Sequence, residues 1–245
     1  MLLALDTATR LISLALHDGQ TLLAESTWQS ANTHTLELAP QVALLLRRAG
    51  LEAARLRGVA VALGPGSYTG LRIGLGFAKG LALAQGLALL GVGTYEALLR
   101  AQPPRAEPVV AVLQAGRGRV LAARYQWQAK PRQWQTLAEP HIYTWAGLAE
   151  SIQTPSYVCG EIDAAGAAQL RARRGLVTLA SPAQSLRRAG YLAEIGWERL
   201  RATGGANPEA ASRLAPIYAS SPAGSMPEPA PSAGSAAENP PLPTP

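Results

Sequence analysis

The hydrophobic and polar positions along the first part of the chain change their period several times, and each period predicts a different element. An unbroken apolar run at residues 2–5 predicts a strand that is buried on both of its faces. Apolar and polar residues then alternate on both sides of Asp18-Gly19, a dipeptide that favours a tight hairpin, so two antiparallel strands are predicted. The remaining pattern predicts, in order, a helix at 33–49, a strand at 58–63, a helix at 69–85, a strand at 87–92 and a helix at 94–100.

The pattern begins again after Pro103-Pro104, a dipeptide that interrupts regular structure. Because a three-strand meander followed by alternating helices and strands starts twice, we predict an α/β protein with a two-lobed actin-like (ASKHA) fold. Each lobe is expected to be a mixed sheet with flanking helices. In the second half, strands are predicted at 108–114, 120–127 and 141–144, and helices at 145–153, 164–174 and 182–202. The predicted lobes cover residues 1–102 and, for the smaller one, 103–220, and a disordered tail is predicted at 221–245.

The amino-acid composition supports the predicted disordered tail and excludes several kinds of site for the rest of the chain. Residues 221–245 hold eight prolines and no basic residue, so they cannot bury enough apolar area to fold. The whole chain carries 22 basic and 16 acidic residues, for a net charge of +6, but the basic residues are scattered and leave no nucleic-acid footprint. The single cysteine, Cys159, excludes an internal disulfide framework and a multi-thiolate metal centre.

The long apolar window at residues 71–92 does not fit a membrane span. It contains Arg72 and Lys79 together with several glycines, and charged residues are costly at the centre of a bilayer. The apolar start of the chain has no basic segment before it and carries Asp6 inside it, unlike a signal peptide. We therefore predict a cytoplasmic protein that does not associate with membranes.

The most distinctive motif, Gly-Pro-Gly-Ser-Tyr-Thr-Gly-Leu-Arg at residues 64–72, runs from a predicted strand into a predicted helix. Amides at a helix N-terminus attract anions, and glycines let the backbone approach a phosphate closely. The motif is neither a P-loop nor the dinucleotide fingerprint, and the alternative is a tight turn in which Ser67 or Thr69 caps the helix. The candidate nucleotide- or anion-binding residues are Asp6, Thr7, Gly66, Ser67, Tyr68, Thr69 and Gly70.

Candidate catalytic groups are few. Asp6 directly follows the first predicted strand, where an actin-like ATPase would place a carboxylate beside a metal-bound phosphate. Phosphoryl transfer recruits further acidic ligands, and the only other aspartates are Asp18 and Asp163, so Asp6 alternatively caps the following turn. No two of the three histidines lie within one helical turn, which excludes a zinc-binding histidine pair on a helix. We assign no catalytic residue and no metal ligand to the chain.

Two predicted helices, at 33–49 and 69–85, are more apolar than packing on one sheet requires. Either a neighbouring helix of the same chain covers the excess, or both helices form an apolar docking face for another subunit. The second interpretation makes them partner-docking helices of the first lobe. The candidate partner-binding residues are His34, Leu38, Val42, Leu45, Leu71, Arg72, Gly74, Leu75, Ala78 and Lys79.

Several motifs together resemble the bacterial TsaB (YeaZ) family. They are Leu-Asp-Thr-Ala-Thr at residues 5–9, His34-Thr35, the glycine-rich motif extended to residue 74, and Ala-Lys-Gly at residues 78–80. The resemblance is strong over residues 1–100 and weaker beyond, although the segment 216–218 is similar to the family's closing Pro-x-Tyr. Relatives commonly have Asp-Ala-Arg where this chain has Gln-Ala-Gly at residues 114–116, so a charged contact of the second lobe is expected to be lost.

The resemblance implies a non-catalytic subunit of the machinery that installs threonylcarbamoyl on adenosine next to the anticodon of tRNA. It implies docking of the first-lobe helices onto a TsaD-like catalytic subunit, joined by a TsaE-like ATPase, with tRNA contacted only indirectly. A homodimer through the same helices is the expectation where that partner is absent. Thr94 and Leu98 stand where the TsaD paralogue has two metal-binding histidines.

The same resemblance implies that this chain alone binds no cofactor, and that ATP or ADP and a metal belong to the complex. A stand-alone actin-like ATPase or kinase, built on Asp6 and the loop around Ser67, is the alternative function.

Overall fold

The computed structural model describes residues 1–31, 33–204 and 213–219. The predicted tail at 221–245 lies outside the described residues. The part that is described contains two five-stranded sheets. The first sheet and its helices are β1 (Leu2–Asp6), β2 (Leu11–His17), β3 (Leu22–Gln29), α1 (His34–Arg48), β4 (Gly58–Gly64), α2 (Tyr68–Gln85), β5 (Ala88–Gly93) and α3 (Thr94–Arg100). The second part comprises β6 (Val109–Gly116), β7 (Arg119–Gln128), β8 (Gln133–Thr144), α4 (Trp145–Ser151), β9 (Ser156–Gly160), α5 (Ala164–Arg171), β10 (Val177–Leu179), α6 (Pro182–Ser185) and α7 (Ala189–Thr203).

Both sheets have the same topology. The first has the order β3-β2-β1-β4-β5, in which β1, β2 and β3 are antiparallel neighbours and β4 and β5 run parallel to β1. The second has the order β8-β7-β6-β9-β10, again with three antiparallel strands followed by two parallel ones. This duplicated arrangement of mixed sheets with flanking helices confirms the predicted two-lobed actin-like fold class.

The first sheet is covered by helices on both faces. Leu3 and Leu5 of β1 pack with α1 and α2, whereas Leu2 and Ala4 of the same strand pack with α7. Because successive side chains of a strand point to opposite faces, a strand between two helix layers needs apolar residues throughout. The prediction of a strand that is buried on both faces, made from the apolar run at residues 2–5, is therefore confirmed.

The second sheet packs between α3 on one face and α4 with α5 on the other. Tyr95 and Leu98 of α3 lie in the core with Val109 and Leu113 of β6, and the Tyr95 hydroxyl donates a hydrogen bond of 2.9 Å to the backbone oxygen of Leu121. The helix that ends the first lobe thus also joins the two sheets.

Two predicted elements differ from the structure. The edge strand β8 begins at Gln133, eight residues before its predicted start, because polar residues of an edge strand pair with β7 without forming an apolar pattern. The helix predicted at 182–202 is two helices, α6 and α7, which are separated by residues 186–188. Leu186 and Arg188 have extended backbone conformations, and this break turns Arg187 into the interior.

The predicted boundary of the second lobe also differs from the packing. Residues 189–203 fall within the predicted second lobe, but α7 packs on the first sheet, where Leu192, Ala193 and Ile195 are buried against the β1 side chains. Its apolar stripe is needed there to cover the face that α1 and α2 leave open.

In the part of the chain that the structure describes, no helix has the length and apolar character that a membrane crossing requires.

Candidate functional site

The glycine-rich loop between β4 and α2 packs directly on the turn that follows β1. The backbone N–H of Ser67 donates a hydrogen bond of 2.6 Å to the Ala8 carbonyl oxygen. A Cβ atom on Gly66 would lie 2.3 Å from that same oxygen, and one on Gly70 would lie 2.2 Å from the Thr7 carbonyl oxygen. Because backbone lies against backbone at both positions, glycine is required by this internal packing.

The start of α2 is a capped helix N-terminus. The Ser67 hydroxyl accepts a hydrogen bond of 3.3 Å from the Gly70 N–H, so Ser67 is the N-cap, as in the turn that was the alternative to an anion site. Tyr68 and Thr69 are exposed. The Ser67 amide and hydroxyl both have partners within the chain. The candidate anion-binding loop is therefore stabilised by hydrogen bonds to other residues of the protein.

Asp6 ends β1 and is only 2% exposed. Its Oδ1 accepts a hydrogen bond of 2.8 Å from the Ala8 N–H, which is the turn-capping role given above as the alternative. Its Oδ2 accepts a hydrogen bond of 2.8 Å from Arg187 Nε. Both carboxylate oxygens are thus used inside the chain.

Arg187 is the centre of a buried ionic cluster that sequence reasoning missed. Its side chain is 1% exposed, pairs with Asp6 and with Glu161 Oε1, and donates hydrogen bonds of 3.0 Å to Thr9 Oγ1 and 3.1 Å to the Leu11 carbonyl oxygen. Burial lowers the pKa of the Arg187 guanidinium, but the two carboxylates outweigh it and hold that pKa above its ordinary value. No local pattern indicates these contacts, because the partners lie far apart in sequence.

The structure places most of the candidate partner-binding residues in the interior. Leu45 and Leu75 are 4% and 5% exposed and pack on the first sheet. His34 is buried with its Nε2 3.0 Å from the Thr9 carbonyl oxygen, and Gly74 is buried against Thr7. Leu38, Val42, Leu71 and Ala78 are likewise buried within the chain. These eight residues therefore do not lie on the surface of the chain, and of the ten candidates only Arg72 and Lys79 are accessible.

A different set of apolar residues does lie on the surface of α1 and α2. We call it the outer face; it consists of Leu36, Ala39 and Ala43 of α1 and Gly76, Gly80 and Leu83 of α2. Leu36 is 73% exposed and Leu83 is 88% exposed. A Cβ atom on Gly76 or Gly80 would meet nothing within 4 Å. Part of the apolar surface of α1 and α2 is thus left uncovered by the residues that the structure describes.

An aromatic group lies at the N-terminal end of α2. Tyr68 stacks on Tyr218 with ring centroids 5.1 Å apart, and the Arg72 guanidinium lies 5.0 Å from the Tyr68 ring centroid. The segment that carries Tyr218 is fixed by a hydrogen bond of 2.7 Å from the Ile217 N–H to the Leu63 carbonyl oxygen. The segment similar to the family's closing Pro-x-Tyr therefore lies beside the glycine-rich loop.

Thr94 and Leu98, the positions that correspond to the histidines of the paralogue, lie in the interior of the protein. The described residues contain no group of three or more His, Cys, Asp or Glu side chains arranged to hold a metal ion. The Gln114 N–H donates a hydrogen bond of 2.9 Å to Glu161 Oε2, and its side-chain amide lies 3.4 Å from Asp163 Oδ2. Gln114, which stands where relatives commonly have aspartate, thus donates hydrogen bonds to acidic side chains and carries no charge of its own.

These two sheets of equal topology, with a glycine-rich loop at the end of β4 and a carboxylate at the end of β1, define an actin-like protein. The solved structure of YeaZ from Pseudomonas aeruginosa matches with a TM-score of 0.67 and 26% identity, over 89% of this chain and 99% of that one. A family model described as TsaD, tRNA N6-adenosine threonylcarbamoyltransferase, matches residues 22–149, which is just over half of the chain. The chain belongs to this family, and within it to the TsaB (YeaZ) group.

Curated relatives agree with that assignment. The tRNA threonylcarbamoyladenosine biosynthesis protein TsaB of Escherichia coli is 36% identical over 127 residues, covering 51% of this chain and 54% of the relative. The protein of the same name from Bacillus subtilis is 32% identical over 127 residues, covering 52% of this chain and 56% of the relative. The chain thus spans about half the length of these curated relatives.

Proposed function

We propose that this chain is a non-catalytic scaffold subunit required for threonylcarbamoylation of the adenosine next to the anticodon in tRNA. It acts by binding a TsaD-like transferase subunit through the outer face of α1 and α2. The pathway is supported by the curated relatives, which are named for tRNA threonylcarbamoyladenosine biosynthesis. The family model that matches this chain carries the name of the transferase TsaD, which supports a paralogous partner of similar fold.

The observation that carries the docking proposal is the outer face. Leu36 and Leu83 are the two most exposed large apolar side chains among the described residues, and they lie on helices that cover the same face of the first sheet. Exposed apolar surface of this kind favours association with another protein. Gly76 and Gly80 add open backbone, which allows a partner helix to approach α2 closely.

The non-catalytic role is supported by how the chain uses its own polar groups. Both oxygens of Asp6 and the amide of Ser67 have partners within the chain. Thr94 and Leu98, where the resemblance places the metal-binding histidines of the transferase, carry no metal-binding side chain. No observation among the described residues favours the alternative of a stand-alone ATPase or kinase.

Further partners follow from the resemblance and belong to the same proposal. A TsaE-like ATPase joins the pair, ATP or ADP and a metal bind in the complex and not in this chain alone, and tRNA contacts the transferase. In the absence of its partner the chain pairs with a second copy through the outer face, because the same apolar surface is then uncovered.

The proposal is tested by the threonylcarbamoyladenosine content of tRNA in cells that depend on this chain. Depletion of the chain should remove the modified nucleoside, and wild-type chain should restore it. Leu83→Glu should fail to restore it, since a carboxylate on the outer face opposes burial against a partner. The matched control is Ala168→Glu, at an exposed position of α5 on the other sheet, which should restore it. Full restoration by Leu83→Glu would contradict the docking face, and unchanged modification after depletion would contradict the pathway.

A further inference from the structure

The two sheets meet at the carboxyl ends of β1 and β9. Asp6 is the last residue of β1 in the first sheet, and Glu161 directly follows β9 in the second sheet. Ligands of open α/β sheets bind in crevices at the carboxyl ends of strands, so two carboxylates at this place would ordinarily face a bound cation. Here the guanidinium of Arg187 lies between them.

The contacts of Arg187 use three different nitrogen atoms. Nε donates to Asp6 Oδ2 at 2.8 Å, Nη1 donates to Glu161 Oε1, and Nη2 donates to both Thr9 Oγ1 at 3.0 Å and the Leu11 carbonyl oxygen at 3.1 Å. The Thr9 hydroxyl in turn donates to Glu161 Oε1 at 2.5 Å. The guanidinium is thus surrounded by oxygen atoms from both sheets, as a bound metal ion would be.

The backbone is arranged to bring Arg187 to this place. The helical segment from 182 stops at Ser185 and resumes at Ala189, although the sequence of this region predicts one continuous helix. The Ala189 N–H, at the start of α7, donates a hydrogen bond of 2.8 Å to Ser13 Oγ of β2. A charged side chain that is buried is costly unless its partners are complete, so the break in the helix is compensated by the ionic contacts.

We propose that Arg187 is a built-in cation that joins the two sheets across this crevice and takes the place that a divalent metal ion would need. The crevice is closed to a metal ion and to a metal-bound phosphate because the guanidinium fills the space between Asp6 and Glu161. The inference does not depend on the proposed docking function, since it concerns the side of the first sheet that the outer face does not use.

The test is to remove the guanidinium and offer a metal ion in its place. In Arg187→Ala, the Asp6 and Glu161 carboxylates and the Thr9 hydroxyl are left as three oxygen-bearing groups around a space. Addition of about 10 mM Mg²⁺ or Ca²⁺ should raise the melting temperature of this variant by about 3 °C relative to sodium chloride of equal ionic strength. Wild type and the double variant Arg187→Ala/Asp6→Asn should show no such rise.

Each outcome decides the proposal. A rise in Arg187→Ala that is absent in the other two proteins supports it, and a folded Arg187→Ala without a metal-dependent rise overturns it. If Arg187→Ala does not fold without metal, folding upon addition of Mg²⁺ or Ca²⁺ supports the proposal equally. If it folds under neither condition, the double variant Arg187→Ala/Asp6→Asn should fold, because one of the two uncompensated charges is gone; a double variant that also stays unfolded overturns the proposal.

Discussion

Gly74 of α2 lies against the side chain of Thr7, so closely that a Cβ atom on Gly74 would be 2.1 Å from Thr7 Oγ1. The Thr7 hydroxyl also donates a hydrogen bond of 2.8 Å to the Gly70 carbonyl oxygen. These contacts attach the start of α2 to the turn after β1. The spacing of four residues between the two glycines follows from the helix period, which brings both to the same side of α2.

Substitution of the glycines in α2 should separate those that pack internally from those that are open. Gly74→Ala should destabilise the protein by about 2 kcal/mol, because the added methyl group overlaps Thr7. Gly76→Ala and Gly80→Ala should instead stabilise it by about 0.5–1 kcal/mol, since alanine is the better helix former and their surroundings are empty. Urea denaturation, at a protein concentration low enough to keep the chain monomeric, measures the free energy of unfolding of all three variants, and equal effects of the three substitutions would contradict this division.

Arg187→Ala should be among the most destabilising single substitutions in the chain. It leaves two carboxylates without their cation in the interior, which should lower the free energy of unfolding by about 3–5 kcal/mol. The matched control is Arg100→Ala, which removes an arginine paired with Glu198 at the surface and should cost less than about 1 kcal/mol. The two values come from the same urea titration, and a loss for Arg187→Ala no larger than that of the control would be incompatible with the ionic cluster.

Cys159 should be unreactive in the folded protein. Burial raises the pKa of its thiol to about 12, so almost no thiolate is present at neutral pH, and the sulfur is shielded by the core of the second sheet. Ellman's reagent should therefore label the native chain very slowly and label one thiol per chain after unfolding in guanidinium chloride. Rapid labelling of the native protein would argue against this packing.

The carboxylate of Glu37 should make a pH-dependent contribution to stability. Hydrogen bonds from the Thr33 hydroxyl and the Trp28 indole N–H lower the pKa of Glu37 below its ordinary value. A lowered pKa in the folded state means that this contribution is complete above the unfolded-state pKa and is lost as the pH falls. The difference in melting temperature between wild type and Glu37→Gln should therefore shrink between about pH 5 and pH 3. A difference that stays constant over this range would contradict the assignment of these hydrogen bonds.

The elements that the sequence predicted well are those determined by nearby residues. The strand β1 is recognised from its continuous apolar run, and α2 from its apolar stretch together with the capping residue Ser67 at its start. The Arg187 cluster could not be predicted, because Asp6 and Arg187 are 181 positions apart and no local period reflects their contact.

Eight of the ten candidate docking residues are buried within the chain, for a related reason. Periodicity identifies the apolar side of a helix but does not distinguish a side that faces its own sheet from one that faces a partner. Leu45 and Leu75 belong to the first kind and Leu83 to the second. Charged substitutions at Leu45 or Leu75 would therefore disturb the core of this chain before any interface.

The central claim is tested most directly by titrating the purified chain with the TsaD-like protein of the same cell in a calorimeter. Wild type and the control Ala168→Glu should bind with equal affinity, whereas Gly80→Glu should bind at least about tenfold more weakly, because the added side chain blocks close approach to α2. Circular dichroism should show that all three proteins are equally folded. A Gly80→Glu variant that binds as tightly as wild type would contradict the outer face as the docking surface.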